Sequence, residues 1–232
     1  MKRIILAALL LASPLLAQTN NPPITKLVTL KYASPDSINN IIQMFGVRVQ
    51  WNGGLRTIAL TGSAESIAAA ETAIKQLDVA PKNIELVVQF LVGANQAAPG
   101  AIPADLGDVV AQLKKTFAFK EYSLLDTLTL RTRAGSAADT TGMISPAGSS
   151  IPRMTQFSIR SASVSDDGVI LIDRMHAGLR IPVPTGQKLE YMNTGIDQDI
   201  DVKEGQKVVV GRASLEGPDK ALFLILTAKV VQ

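Results

Sequence analysis

From Ile24 to Tyr32 apolar and polar positions alternate, with Ile24, Val28, Leu30 and Tyr32 set against Thr25, Thr29 and Lys31. That period of two is the mark of a half-buried strand. The period then lengthens. Ser34 can cap a helix, Pro35 suits its first position, and Ile38, Ile41, Ile42 and Phe45 make one apolar stripe ended by Gly46, a stripe expected to face the unit's own sheet. Val47, Val49 and Trp51 alternate up to Asn52-Gly53-Gly54, and Leu55 to Thr61 returns as the partner strand of a hairpin, because glycine and asparagine accept the positive φ of a tight turn. Gly62-Ser63 opens a second helix with Ile67, Ala70, Ile74 and Leu77 on one face and Glu65 near its positive end, as the helix dipole favours. Beyond Pro81, Ile84, Leu86, Val88, Phe90 and Val92 predict another strand. The order is βαββα plus a strand.

Past Val92 the pattern is β-rich. Gly93 to Pro103 is small, uncharged and rich in Pro and Gly, as a surface loop is. Leu106, Val109, Val110, Leu113 and Phe117 then define a third helix, with Lys114 and Lys115 at its end. Tyr122 to Thr132 predicts a long strand carrying Tyr122, Leu124, Leu128 and Leu130 on one face; Asp126 interrupts it as an edge residue, a turn or a bulge. Residues 134–152 hold no apolar period and are expected to be a flexible loop or the tip of a long hairpin. Phe157 to Val164 is expected to pair with Val169 to Arg174 through Asp166-Asp167-Gly168. Further strands are expected at Leu179 to Val183, Lys188 to Met192, Gln198 to Val202, Lys207 to Ala213 and Ala221 to Val231. The last is apolar enough to invite comparison with a lipid-facing barrel strand, but the other strands lack a matching outward band, and a central strand buried between two layers is the better fit. The fold class is therefore α+β: a βαββα unit at 24–80 with KH-like topology, then a β-rich sandwich or partial barrel with one helix at 81–232.

The first residues stand apart from both units. Lys2-Arg3, an apolar run from Ile4 to Leu16, and Leu15-Leu16-Ala17 before Gln18 have the layout of a cleaved export signal at 1–17, followed by a linker at 18–23. The run is shorter than the roughly twenty residues that span hydrocarbon, and no other segment reaches that length without a charge. Charge then loses its weight as an argument. The chain has 23 Lys and Arg against 20 Asp and Glu; without Lys2 and Arg3 the excess is about one, with no basic patch of the kind phosphate binding needs. Nucleic acid is not an expected partner, and no GxxG joins two helices as a KH domain requires. The chain contains no cysteine, so disulfides and thiol chemistry are excluded.

Candidate chemistry is sparse. His176 is the only histidine, placed by its neighbours Met175-His176-Ala177-Gly178 in an expected surface turn; one histidine excludes a multi-histidine metal site, and nothing beside it makes a nucleophile and orienter. Nucleophile-elbow, dinucleotide and phosphate-loop spacings are absent from the sequence. Asp197-Gln198-Asp199-Ile200-Asp201 superficially resembles a calcium loop, but Val202 and Val208 stand where the turn glycine and the bidentate Glu belong. A strand would put the three carboxylates on one solvated face. No catalytic, cofactor-binding or metal residue is assigned and no small-molecule substrate is evident; an enzyme with an unrecognised site, for which Asp126 is the acid to test, is the least favoured reading.

The first unit resembles the secretin N-domain, the short periplasmic ring-forming module of bacterial outer-membrane secretins. The residues that carry this are Leu30-Lys31-Tyr32-Ala33 before a helix, the hairpin at Asn52-Gly53-Gly54, Ala59-Leu60-Thr61-Gly62, and Ile74-Lys75-Gln76-Leu77-Asp78. Lys82-Asn83-Ile84-Glu85-Leu86-Val87-Val88 resembles the strand by which secretins enter their core domain, and Asp201 to Gly211 with Ala221 to Val231 is similar to the core's end. The pattern departs at Arg212, where secretins carry a second glycine, at Gln89-Phe90-Leu91, and at Ser214 to Lys220. The resemblance implies an exported protein of the periplasm or outer membrane, acting through contacts with copies of itself in a ring or with secretion and pilus proteins. The alternative is a stand-alone periplasmic adaptor or pilotin-like protein that forms no pore. Arg48, Gln50, Arg56 and Lys75 are candidate contact residues.

Overall fold

The computed structural model describes residues 22–52, 54–96, 101–145, 151–185, 188–215 and 217–231. The expected export signal, most of the linker and Gly53 of the first hairpin lie outside them. The chain divides into two compact units, Met1–Ala80 and Pro81–Gln232, each with its own core.

In the first unit β1 (Ile24–Thr29), α1 (Pro35–Gln43), β2 (Arg48–Trp51), β3 (Thr57–Gly62) and α2 (Ala64–Leu77) follow the βαββα order, and the strands form an antiparallel sheet in the order β1-β3-β2. Ser34 and Ser63 cap their helices by accepting from the amides of Ser37 and Ser66, and Gly46 leaves α1 at a φ of +74°. These caps supply partners for amides that the first helical turn leaves orphaned. The apolar stripes are narrower than the spacing predicts. Ile38 and Ile42 are buried while Ile41 and Phe45 remain more than a third exposed, as does Leu77 of α2, because a sheet of three short strands is too small to cover two full helix faces.

One carboxylate ties this unit together. Asp78, just past α2, accepts the amides of Lys31 (2.7 Å), Tyr32 (2.7 Å) and Ala33 (2.9 Å) in the turn between β1 and α1. Partial burial pushes its pKa up, but the three amide bonds outweigh it and hold the group below its ordinary value.

The second unit has two sheets. One runs β11-β12-β4-β5 and the other β10-β9-β7-β6, with β8 paired to β9; the ranges are β4 Asn83–Ala94, β5 Glu121–Arg133, β6 Ala138–Ile144, β7 Arg153–Ile159, β8 Ser161–Val164, β9 Val169–Thr185, β10 Lys188–Lys203, β11 Lys207–Ser214 and β12 Lys220–Val231. The main core, including Phe90, Phe157, Ile170 and Leu224, lies between the sheets. A 3-10 turn (Ala104–Leu106) and α3 (Gly107–Thr116) cover the opposite face of the first sheet around Leu91 and Phe223. β12 is thus buried on both faces from Ala221 to Ala228, the central strand expected of it. The sheets form a sandwich rather than a closed barrel among the described residues.

Three expectations change. Tyr122, Leu124, Leu128 and Leu130 do not share a face, because the pairing slips from Phe90↔Asp126 to Leu91↔Leu124. The bulge sends Tyr122 and Leu124 toward α3 and Leu128 and Leu130 into the main core. Residues 134–152, expected as a flexible loop or the tip of a long hairpin, take the second form: Ala138–Ile144 is strand β6, paired antiparallel with β7, and 146–150 lies outside the described residues; β6 shows no apolar period because Met143 stands on its outer face while Ala138, Thr140 and Gly142 stand on its inner one. Last, the strands expected at Leu179, Lys188 and Gln198 belong to one long hairpin, β9 with β10. His176 therefore lies within β9 and not in a turn. Gly178 pairs directly with Gly195, and a Cβ on Gly178 would stand 2.5 Å from the Thr194 carbonyl oxygen and 2.9 Å from Gly195 Cα. Close strand approach, not a turn, is what selects glycine here.

Asp126 joins the two sheets. Its Oδ2 accepts the hydroxyl of fully buried Thr155 on β7 at 2.5 Å, and Oδ1 accepts the Thr127 amide. Gly142 of β6 crosses over this pair so closely that a Cβ would collide with both partners. Thr155→Val keeps the shape and deletes the donor; it is expected to lower unfolding stability by about 1–2 kcal/mol, measured by denaturant titration, since the half-buried Asp126 carboxylate loses a hydrogen bond made in the core.

Candidate interaction surfaces

The first unit presents two unlike faces. On the outer side of the sheet Thr25 and Thr61 share a hydrogen bond (3.0 Å), as do Thr29 and Thr57 (3.4 Å). Between these pairs sits Leu27, 70% exposed, opposite Ala59. Arg48 and Gln50 of β2 extend the same face, registered against Thr61 and Ala59. The strand alternation makes this face: Val28 turns inward to the core while Thr25, Leu27 and Thr29 turn outward. On the helical side Ile41 of α1 and, just past its end, Met44 and Phe45 are exposed, with Met44 84% exposed. Contiguous exposed apolar groups with a polar rim are typical of contact sites.

Of the candidate residues, only Arg48 and Gln50 come together. Arg56 is committed to its own unit, donating from Nη1 to the carbonyls of Lys31 (2.8 Å) and Tyr32 (3.3 Å), and Lys75 lies on the exposed side of the last turn of α2. Leu27 and Met44 are the residues that pattern reading missed. The signal for Leu27 was present, an apolar side chain at an outward position of an otherwise regular alternation.

In the second unit the carboxylates of β10 do not converge. Asp197 Oδ1 lies 2.7 Å from His176 Nδ1 across the hairpin. Asp199 Oδ1 accepts the amide of Arg174 at 2.6 Å, where the β9–β10 register shifts and Arg174 takes a φ of 46°. Asp199 thus fills the bulge, and Asp201 is exposed to solvent. Among the described residues no group of three or more His, Cys, Asp or Glu is placed to hold a metal ion. Among the described residues His176 has a carboxylate beside it but no hydroxyl bonded to it, so the pair shows no nucleophile of the kind a relay serves. Among the described residues no helix is long and apolar enough to cross a membrane.

What the second unit does offer is sheet edge. β5, β6, β10 and β11 each border a sheet. β10 is fastened to β11 at two points, Thr194 Oγ1 to the Ser214 carbonyl and Gln198 Nε2 to the Val210 carbonyl. Edge strands carry unpaired amides and carbonyls, which is how one chain adds to another.

The family model that matches this chain describes the bacterial type II/III secretion system short domain and covers residues 25–83. Solved structures with the same fold include the secretin-domain β-barrel of InvG from the Salmonella SPI-1 injectisome, 13% identical with a TM-score of 0.57 over 91% of this chain and 88% of that one. The type II secretin GspD of enteropathogenic Escherichia coli is 11% identical, with a TM-score of 0.59 over 90% and 87%. PilQ, the type IV competence pilus secretin of V. cholerae, is 12% identical, with a TM-score of 0.60 over 93% and 79%. None of the curated proteins matches the chain in sequence. The resemblance to secretins is thus one of sequence family in the first unit and of fold along almost the whole chain.

Proposed function

We propose that this chain is an exported protein of the bacterial cell envelope, in the periplasm or outer membrane, that assembles with copies of itself as a secretin-like component of a secretion or pilus system. The observation that carries the reading is the pair of unlike exposed faces on the first unit, the Leu27 sheet face and the Met44 helix face, together with the secretin fold of the chain. Two different faces that meet head to tail generate a closed ring when the rotation between copies closes. Burying Leu27 and Met44 fully in such a contact would contribute about 1.5–3 kcal/mol each. Export is supported by the basic start and apolar run at 2–17. No enzymatic step is assigned, because no nucleophile, base and orienter are assembled among the described residues.

The test is the size of the mature protein, purified in detergent, by light scattering and electron microscopy. A ring is expected, and Leu27→Asp and Met44→Asp should each shift it to smaller species with Trp51 fluorescence unchanged. A monomer at micromolar concentration would overturn the self-assembly reading in favour of an adaptor that binds a different protein.

A further inference from the structure

Strand β11 holds the helical cover of its sheet at both ends. At the front, Lys207 Nζ reaches the Asp105 carboxylate at 2.8 Å and also the Asp105 backbone carbonyl, in the 3-10 turn ahead of α3. At the back, the Arg212 guanidinium lies 5.8 Å from the ring centre of Phe117 and 5.4 Å from that of Phe119, just after α3. A bulge makes the second contact available. Pairing passes from Val209↔Ile225 to Gly211↔Leu224 and Arg212↔Phe223, and Ile225 and Phe223 belong to the core under α3 while Leu224 belongs to the main core. Without the extra residue strict alternation from Val209 would aim Gly211 at the cover; with it, Arg212 is aimed there. This is the position at which the chain departs from the secretin pair of glycines.

Phe117 and Phe119, at the end of the cover, and Tyr122 beneath it cluster on Phe223, at centroid distances of 5.0, 5.9 and 5.7 Å. Tyr122 is 3% exposed and its hydroxyl has no hydrogen-bond partner among the described residues. Burial pushes its pKa up, against the pull of the Arg212 charge. A buried hydroxyl without a partner opposes the closed arrangement and is relieved by water when the cover lifts. We infer that residues 104–119 form a strap, fastened to β11 by Lys207 and Arg212 and able to lift as one piece from the aromatic face of Tyr122 and Phe223. β11 would then be a latch for a face that the closed protein conceals.

Hydrogen exchange of the full chain, followed by mass spectrometry, tests this. The amides of α3 are expected to exchange before those of β4 and β12, as a locally opening segment does. Arg212→Gly should accelerate exchange in 104–119 about tenfold, the size expected for loss of the cation–π contacts, and leave β4 and β12 unchanged. Tyr122→Phe should slow strap exchange about threefold or more, because it removes the unpaired group. Should Arg212→Gly not fold, Arg212→Lys and Lys207→Met carry the same expectation with smaller acceleration. The inference is overturned if α3 exchanges together with β4 and β12, if the Arg212 variant speeds those strands as much as the strap, or if Tyr122→Phe leaves strap exchange unchanged or faster.

Discussion

Asp78→Ala is expected to destabilise the first unit by about 3 kcal/mol, because three backbone amides lose a charged acceptor at once. The amides of Lys31, Tyr32 and Ala33 all point at this one carboxylate, and they lie where the chain leaves the sheet and turns into α1. The unit is small, so a loss of this size is a large share of what holds it. Trp51 is the only tryptophan and belongs to this unit, so its fluorescence in denaturant reports the first unit selectively. The folded pKa of Asp78 lies below the ordinary 3.8. Its contribution is therefore complete above that value and is withdrawn as pH falls through the folded pKa. The Trp51 midpoint should drop on acidification below about pH 4 in the parent, and Asp78→Asn should flatten that drop. An Asp78→Ala midpoint equal to the parent's at neutral pH would show that water replaces the carboxylate without loss.

Gly178→Ala is expected to cost the second unit about 2–3 kcal/mol, at the upper end for overpacking, because the atoms in the way are backbone and cannot rotate aside. They are the Thr194 carbonyl oxygen and Gly195 Cα. β9 is also held from its other side, Gly178 being registered against Gln156 of β7, so the strain falls on β10. Calorimetry should show the transition of the second unit moving down by several degrees while the Trp51 transition stays in place. Gly195→Ala meets the mirror obstruction, at 2.6 Å from the Ala177 carbonyl, and should behave alike. A shift confined to the Trp51 transition would contradict this account.

The parts of the fold that sequence made legible are those where local chemistry and tertiary demand agree. Ser34-Pro35 and Ser63 announced helix starts that the caps confirm, and the even spacing of Ile84 to Val92 announced β4. The illegible parts are those where one extra residue or a distant partner decides. The bulge beside Asp126 reverses which side later leucines take, and nothing in Leu124-Leu125-Asp126 declares that slip without β4 alongside. Gly178 looked like punctuation because its partner, Gly195, is far along the chain. The contact faces were half legible: Arg48 and Gln50 could be read as outward, whereas Met44 falls off the stripe of Ile38, Ile41, Ile42 and Phe45 and drew no reading. Arg56 is exposed yet bonded within its unit, and an arginine that donates to two carbonyls of its own chain has the same local pattern as one that awaits a partner.

The position of β12 sets the order in which the second unit can come into being. Asn83, at the start of β4, pairs with Val231, and Ala94 pairs with Lys220, so the two strands at the centre of the sheet come from opposite ends of the unit. As the chain is released N-terminal end first, β4 must wait for nearly all of the intervening sequence before its neighbour exists, with Leu86, Val88, Phe90 and Leu91 unsheltered meanwhile. Distant pairings of this kind form slowly and leave apolar strands open to wrong partners. The first unit, whose contacts are closed within its own short span, meets no such delay. A chain released in order should thus carry a finished first unit and, after it, a sticky, incomplete sheet until Val231 is free to pair, which makes the unfolded second unit the natural target for a holding chaperone.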